Sequence, residues 1–364
     1  MNMKKGLWML GLAAAAMTSC TQNEVLEVAE NRAIGFDDVF VGKATRAANP
    51  TENSLDVLQQ SGNGFYVYGG YETVTDVFAD THVTYNSNNT PKWEYSPIRY
   101  WVANQNYKFV AYAPAMGEGV TKSFAYGNSV STPPPATNDA TLTFTDVVID
   151  GTADNQKDFI VAKSGVITPN DNNYNTAVKF NFFHALSMIK VTLRNGFADG
   201  VKVAISNFEI TGINTKGNFT TASTEFSAGN CGTWSDQGTI ESTSTFKDGA
   251  GATLTELWTT GQDGTTSKAY SNEFIVIPQT IGTVNVKFKV TVKDAADNLI
   301  VNNKSFDVAI PKTSNTTWDI NNRYHYTLTI DGKSVDLTPI VFDEPSVEDW
   351  ADYKDEEELV TPGS

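Results

Sequence analysis

The chain has 364 residues, a formal net charge of −16 and 40% hydrophobic residues, but only two cysteines and three histidines. An acidic chain of this kind is a poor partner for nucleic acid or an anionic membrane surface. Functions that depend on a basic binding surface are therefore excluded. Two cysteines do not make a disulfide framework, and the length predicts more than one apolar core instead.

The N-terminus has the features of an exported lipoprotein. Lys4 and Lys5 precede a short apolar run at 7–17, and small residues then lead to Cys20. A charged start, a short apolar run and small residues before the cut describe a secretory signal peptide, and the run is shorter than the ~20 residues that span a bilayer. The sequence predicts a signal peptide over 1–19 and lipidation of Cys20, which anchors the chain in the membrane. The alternative is an ordinary signal peptide that contains a cysteine.

A short apolar strand is predicted next, with an exposed loop after it. The apolar residues of this strand are Ile34, Phe36, Val39 and Val41. The loop places Arg46 and Ala47 among small residues without apolar periodicity, which is typical of a site open to proteases. We therefore predict a propeptide over 20–46 with a releasable strand and cleavage between Arg46 and Ala47. Arg32 and Lys43 are rival sites, although cutting at Arg32 would not remove the strand. Alternatively, Arg46 is one more solvated charge.

Strands dominate the rest of the chain. Apolar and polar residues alternate with a period of two in several runs, which predicts half-buried strands. The clearest runs are 107–112, 201–206, 284–292 and 324–330. Turn-forming residues bound them. Residues 54–58 are predicted to form one or two helical turns and residues 346–358 a frayed helix. The pattern as a whole predicts an all-β chain of antiparallel β-sandwiches.

Two sandwich domains fit the length. We predict an N-terminal sandwich over 47–178 and a C-terminal sandwich over 179–364. The stretch 178–193 is either the last strand pair of the first sandwich or the first pair of the second. The C-terminal end, 343–364, has nine acidic residues against Lys354 alone, a net charge of −8 that indicates a solvated tail.

No pattern predicts catalysis or a cofactor. His82, His184 and His325 lie in no Ser/His/Asp or metal-ligand spacing, and His184 is expected to satisfy a hydrogen bond within a run of phenylalanines. The acidic loops that begin at Asp171 and Asp294 match no EF-hand spacing and are predicted to be plain turns. We predict that the chain is not an enzyme and needs no metal.

Several segments resemble the fimbrillin family of Bacteroides-type bacteria. The resemblance rests on an Arg-Tyr-Trp segment, an aromatic strand, a phenylalanine/histidine strand with its continuation, a tryptophan–tyrosine strand and a Thr-Arg-Ala sequence. These segments are 99–103, 107–114, 180–193, 318–326 and 45–47. Together with Cys20, these segments follow one another in the family's order and extend over most of the chain.

The resemblance implies a structural role. Fimbrillins have two tandem transthyretin-like β-sandwiches, and they polymerise into a surface pilus by strand exchange after proteolysis. This implies a pilus subunit that serves adhesion, made as an outer-membrane lipoprotein precursor and then placed in the surface fimbrium. The implied partners are other pilus subunits, an Arg-specific protease and outer-membrane lipid through Cys20.

The C-terminal segment is the predicted donor strand. Its candidate contact residues are Val335, Leu337, Val341 and Trp350. Pro339 suits an inserted strand that does not donate every backbone hydrogen bond. The alternative is that 335–342 completes its own sandwich.

A monomeric surface lipoprotein that binds glycan is the alternative function. Trp93, Trp101 and Trp318 lie in strand contexts and are predicted to be buried, whereas Trp234 and Trp258 lie among Gly, Ser and Thr. If the latter two are exposed, they offer faces on which sugar rings stack. If they close the ends of a sandwich, this interpretation loses its support.

Overall fold

The computed structural model describes residues 32–41, 54–127, 137–170, 174–198, 200–238, 245–247, 255–258, 270–282, 284–311, 316–332, 343 and 345–350. Nearly all regular structure in these ranges is β-strand, which confirms the all-β prediction. One helix, α1, spans Leu55–Leu58 and is capped by Ser54, whose hydroxyl accepts a hydrogen bond from the Val57 amide. Ala153–Asn155 forms one 3₁₀ turn.

The strands of the first half are listed in chain order: β1 Phe36–Val41, β2 Phe65–Tyr71, β3 Val74–Tyr85, β4 Trp93–Glu94, β5 Lys108–Ala113, β6 Thr121–Ala125, β7 Thr141–Val148, β8 Ile160–Lys163 and β9 Val178–His184. Those of the second half are β10 Ser187–Asn195, β11 Lys202–Thr211, β12 Lys216–Thr221, β13 Gly232–Gly238, β14 Thr245–Lys247, β15 Thr255–Trp258, β16 Tyr270–Val276, β17 Gln279–Thr280, β18 Asn285–Lys293, β19 Leu299–Ala309, β20 Thr317–Trp318, β21 Asn322–Ile330 and β22 Ser346–Asp349.

Seven strands form a sheet that closes on itself in the order β1-β4-β3-β2-β5-β8-β9. Its interior is one apolar core, in which Phe36, Phe65 and Phe109 are completely or almost completely buried. A four-stranded sheet of order β13-β12-β7-β6 covers part of its outer face. The Tyr112 ring of β5 meets the Phe144 ring of β7 there, with 5.0 Å between ring centroids.

Strand β5 is buried on both faces because it lies between these two sheets. Phe109 and Ala111 belong to the core inside the closed sheet, while Val110 and Tyr112 belong to the second core outside it. The predicted alternation of faces over 107–112 is therefore correct, but the expected half-burial is wrong. The second sheet, which periodicity alone does not reveal, covers the face that was expected to meet solvent.

Two further sheets form a sandwich in the second half. One has the order β16-β10-β21-β22, and the other has the order β14-β11-β18-β19 with β15 also pairing to β11. The Phe208 ring of β11 lies 5.1 Å from the Tyr270 ring of β16, so the two sheets pack face to face. Strand β18 alternates half-buried and buried residues throughout, as the run 284–292 predicts.

Strand pairing crosses the predicted domain boundary at residue 178. β9 joins the closed sheet of the first half, and β10 joins the sandwich of the second, so the alternative pairs proposed for 178–193 are split between them. In addition, β12 pairs with β7, with Phe219 opposite Phe144. The two halves therefore share a sheet, and the division at 178 remains a prediction.

The expected helix over 346–358 is wrong where the structure describes it. Residues 346–349 form β22, which pairs antiparallel with β21 from Ser346 opposite His325 to Asp349 opposite Asn322. Backbone pairing with an open strand edge replaces the local helical hydrogen bonds here. Residues 351–358 lie outside the described residues.

A buried ion pair in the first half gives a test of this packing. The Lys108 side chain is 2% exposed, its ammonium pairs with Asp139, and it lies 4.2 Å from the centroid of the Tyr126 ring. We expect Asp139→Ala to lower the free energy of unfolding by about 3 kcal/mol, because it leaves a buried charge without its partner. Chemical denaturation measures this change. The double variant Lys108→Met with Asp139→Leu should stay within about 1 kcal/mol of wild type, and an equal loss in both proteins would contradict the ion-pair explanation.

Candidate assembly site

Strand β1 closes the seven-stranded sheet. It pairs in parallel with β9, from Phe36 opposite Val178 to Val41 opposite Phe182. On its other side it pairs with β4 at a single position, Phe36 opposite Trp93. β1 is thus attached by a full ladder on one edge and by one residue pair on the other, so its removal would leave the β9 edge unpaired.

Of the four residues predicted to form the releasable strand, Phe36, Val39 and Val41 lie on the inward face of β1 and Ile34 lies just before it. Ile34, Phe36, Val39 and Val41 are each at most 7% exposed. The Phe36 ring is surrounded by aromatic rings from four other parts of the sheet, with centroid distances of 5.5–5.9 Å. These rings are Phe65, Phe78, Tyr95 and Phe180. Such pairs add stabilisation beyond area burial, so Phe36 is the main contact between β1 and the core.

The outward face of β1 is polar and irregular. Asp38 has a φ of 47° and lies where the pairing register with β9 shifts, which is a β-bulge. Its carboxylate pairs with Lys179, and both side chains are mostly exposed, so this ion pair contributes little stability. Phe40 is 46% exposed. Attachment of β1 therefore depends on its inward residues and its backbone ladder.

The residues before β1 are held by a second set of hydrogen bonds. The Ile34 amide donates to Arg99 O, and the Trp101 amide donates to Arg32 O, both at 2.8 Å. The Tyr95 hydroxyl donates to Ile34 O at 2.6 Å. The Arg32 guanidinium lies over the Tyr174 ring, 4.5 Å from its centroid. Arg32 is therefore engaged through both its backbone and its side chain.

The C-terminal strand lies at the edge of the second half. The Trp350 amide donates to Asn321 O at 2.8 Å, and the Trp350 side chain is 1% exposed. Its ring stacks on His184 with 4.2 Å between centroids and 1° between planes. Trp350 is thus buried within its own chain, against the last residue of β9.

His184 has the hydrogen bond that the sequence predicts, but its partner is distant in sequence. Nδ1 lies 2.8 Å from the Asp158 carboxylate, and both side chains are at most 1% exposed. Asp158 and the stack with Trp350 were both missed. Neither Asp158, two residues before β8, nor Trp350, inside the predicted helix 346–358, carries a sequence signal of its distant partner.

The remaining predicted site residues lie outside the described ranges. Cys20, Arg46 and Ala47 fall before and after β1, and Val335, Leu337 and Val341 fall between β21 and β22. Lipidation, cleavage and strand donation at these positions remain predictions.

The tryptophans do not form a sugar-stacking surface in the described residues. Trp93, Trp101 and Trp318 are buried, as expected. Trp234 is half-buried, donates from Nε1 to Ala185 O at 2.7 Å and packs on Phe219. Its ring and its N–H are therefore used in packing within the chain, which favours the structural interpretation. The Trp258 side chain lies outside the described residues.

The predicted turn at Asp294 is confirmed. Its carboxylate accepts hydrogen bonds from the Ala296 and Asn298 amides and from the Asn298 side chain, so it closes its own loop. These bonds hold the pKa of Asp294 below its usual value. Within the described ranges, no three His, Cys, Asp or Glu side chains cluster as metal ligands, and no helix is long and apolar enough to cross a membrane.

The two faces of β1 give a matched test of its attachment. Phe36→Ala should lower the free energy of unfolding of the unprocessed chain by about 3–5 kcal/mol, because it leaves a cavity among aromatic rings. Phe40→Ala, on the outward face of the same strand, should change it by about 0.5 kcal/mol or less. Urea denaturation of the two variants measures both values, and similar losses would show that Phe36 is not the main contact.

Comparison with known proteins agrees with this architecture. A fimbrial protein from Bacteroides vulgatus is 17% identical, with 88% of this chain and 99% of that chain covered and a TM-score of 0.56, which shows a shared fold. A putative cell adhesion protein from Bacteroides uniformis is 16% identical over 88% of this chain and 98% of that chain, with a TM-score of 0.43. No curated protein matches the chain. The model of the Fimbrillin-like family matches residues 45–350, and the chain therefore belongs to that family.

Proposed function

We propose that this chain is a structural subunit of a cell-surface pilus that serves adhesion, exported as an outer-membrane lipoprotein through Cys20. It polymerises when an Arg-specific protease cuts between Arg46 and Ala47 and β1 is exchanged for a strand of another subunit. The observation that carries this proposal is the position of β1, whose residues Phe36 and Val39 fill the core at the closing seam of a sheet. Family membership supports the same role.

Loss of β1 would create an acceptor for another strand. The β9 backbone from Val178 to Phe182 would lose its ladder partner, and the space left by Phe36 would be lined by Phe65, Phe78 and Phe180. An open sheet edge beside an apolar groove pairs readily with an extended segment, whose backbone supplies hydrogen bonds and whose alternate side chains fill the groove.

The contacts of Arg32 favour Arg46 over Arg32 as the cleavage site. A protease must bind its substrate in an extended, accessible form. Arg32 is paired through its carbonyl with Trp101 and packs over Tyr174, so it is a poor substrate. Cutting after Arg46 also separates β1 from the body, since Arg46 follows Val41 in the chain, whereas cutting after Arg32 leaves β1 attached.

The donor in this proposal is the C-terminal segment, with Val335, Leu337 and Val341 as the residues that fill the groove and Trp350 at its end. Its chemistry fits an aromatic groove, because these side chains are apolar. The other pilus subunits, identical or different, are the partners in the fibre.

Protease treatment tests the cleavage step. We expect an Arg-specific protease to give the purified wild-type protein a new N-terminus at Ala47, measured by Edman sequencing, and a ladder of oligomers on a gel. Arg46→Ala should abolish both, because β1 then stays in place. Arg32→Ala is the matched control and should still form the ladder. A ladder from Arg46→Ala, or a fibre whose subunits begin at Ala33, would refute release of β1 by this cut.

Cysteine cross-linking tests the donor. Val178 faces Phe36 across the ladder, so Val178→Cys places a thiol in the vacated groove. Combined with Leu337→Cys in a Cys20→Ala chain, it should form intermolecular disulfides only after cleavage, seen as dimers on a non-reducing gel. Single-cysteine variants are the controls. Absence of the disulfide in assembled fibres would show that a different segment enters the groove.

A further inference from the structure

The C-terminal strand β22 is attached to its own chain by a short backbone ladder and is followed by one large buried side chain, Trp350. Pairing with β21 covers four residues, and the Asp343 amide donates to Thr327 O at 3.0 Å. Ser346 is exposed, and Val347 is 39% exposed. Trp350 is the one large side chain among the described residues from 343 to 350 that is fully buried. A short edge strand of this kind frays easily unless such a residue holds it.

The site that receives Trp350 is built from both halves of the molecule. The ring lies parallel to His184, the last residue of β9 in the closed sheet, while its backbone bonds to Asn321 just before β21 in the sandwich. The next residues after His184 are fixed as well, since the Ala185 amide donates to Phe159 O and the Asn321 amide donates to Leu186 O. Trp350 therefore docks at the junction where the chain passes from one half to the other.

The orientation of His184 is set before Trp350 binds. Its bond to the buried Asp158 carboxylate fixes the plane of the imidazole ring, and a fixed ring presents a ready face for stacking. Within the described residues, neither the Trp350 indole N–H nor His184 Nε2 has a hydrogen-bond partner, although both are buried. An unpaired buried polar group opposes burial, so the docked state is held by ring packing and opposed by desolvation.

We propose that Trp350 and His184 form a latch that holds the C-terminal strand β22 on its own subunit until assembly. The subunit then has two states: a docked state, with β22 paired to β21, and a released state, in which β22 and the chain beside it are available to another copy. This inference rests on the proposed function and deepens it, because it names what keeps the donor in place.

The latch follows from the way the donor segment is held at both ends. The predicted donor residues, 335–342, lie between Ile330, whose carbonyl accepts from the Gly196 amide, and Asp343, which is bonded to Thr327. An extended strand cannot leave the subunit while both ends are fixed. Ile330 ends a strand that pairs with β10 from Arg323 to Ile330 and has a buried inner face, whereas the other end is held by β22. Releasing the segment at its Trp350 end therefore disrupts fewer contacts than releasing it at its Ile330 end.

A reversible lock tests the latch. Asn322 and Asp349 are register partners in antiparallel strands, and pairs of this kind have the Cα separation that a disulfide needs. We expect the double variant Asn322→Cys with Asp349→Cys, in a Cys20→Ala chain, to form no ladder after protease treatment when oxidised and a normal ladder when reduced. The native Cys231 is buried, and burial raises the pKa of its thiol to about 12, so it does not compete.

The outcomes of the lock separate the two proposals. Equal ladders from the oxidised and reduced forms would overturn the latch while leaving the pilus function intact. No ladder even from wild type would overturn the pilus function, and the latch would then be judged by the exchange experiment below. If only the reduced double variant fails to assemble, the exchange experiment likewise decides whether the latch exists.

Hydrogen exchange of the unprocessed protein tests the latch without polymerisation. His184→Gln keeps a hydrogen-bond donor for Asp158 but removes the imidazole ring. It leaves the sequence of the predicted donor strand, 335–342, unchanged. We expect exchange of the β22 amides to accelerate by at least about tenfold, equivalent to about 1.4 kcal/mol, while the β10 amides stay protected. Trp318→Leu, at an equally buried tryptophan that bonds to Tyr326, is the control and should not release β22 selectively. Unchanged β22 exchange in His184→Gln, or equal loss in β22 and β10, would overturn the latch.

Discussion

The parallel ladder between β1 and β9 is the interaction on which the first half of the structure depends. A sheet with seven strands has two edges until its first and last strands meet, and β1 supplies that closure. The same strand places Phe36 at the centre of the core, so the backbone edge and the apolar interior are closed by one element. The chain thus has a strand that is necessary for the closed form and attached to β4 at only one position.

The two halves are joined more closely than a tandem arrangement requires. The hairpin of β12 and β13 leaves the second half and completes a sheet with β7 and β6 of the first. Its Phe219 packs on Phe159, which lies next to the Asp158 that binds His184. This shared sheet keeps the junction rigid, because His184 O and Ala185 O also accept bonds from Cys231 and Trp234 of β13 and its approach.

The sequence predicts local structure well where a face is defined by alternation. The run at 284–292 alternates as β18 does. Phe36 and Val39 are three residues apart, and both point inward only because the bulge at Asp38 interrupts the alternation. The sequence does not predict which strands pair with each other. The pairing of residues 36–41 with residues 178–182 joins segments far apart in the chain, and no periodicity encodes which edge a strand meets. The mistaken helix at 346–358 has the same origin, since only the open edge of β21 makes residues 346–349 a strand.

Strand β9 contacts both β1, the first described strand, and Trp350, which follows the last described strand. Phe182 pairs with Val41 at the last position of the β1 ladder, and His184, two residues further and on the same side of the strand, stacks on Trp350. The strand that pairs with β1 thus also contacts the C-terminal segment, through the stack of His184 on Trp350. Both segments use aromatic packing against β9, Phe36 on Phe180 and Trp350 on His184. Under the strand exchange proposed above, β9 would therefore contact both the segment that leaves the subunit and the segment that is donated.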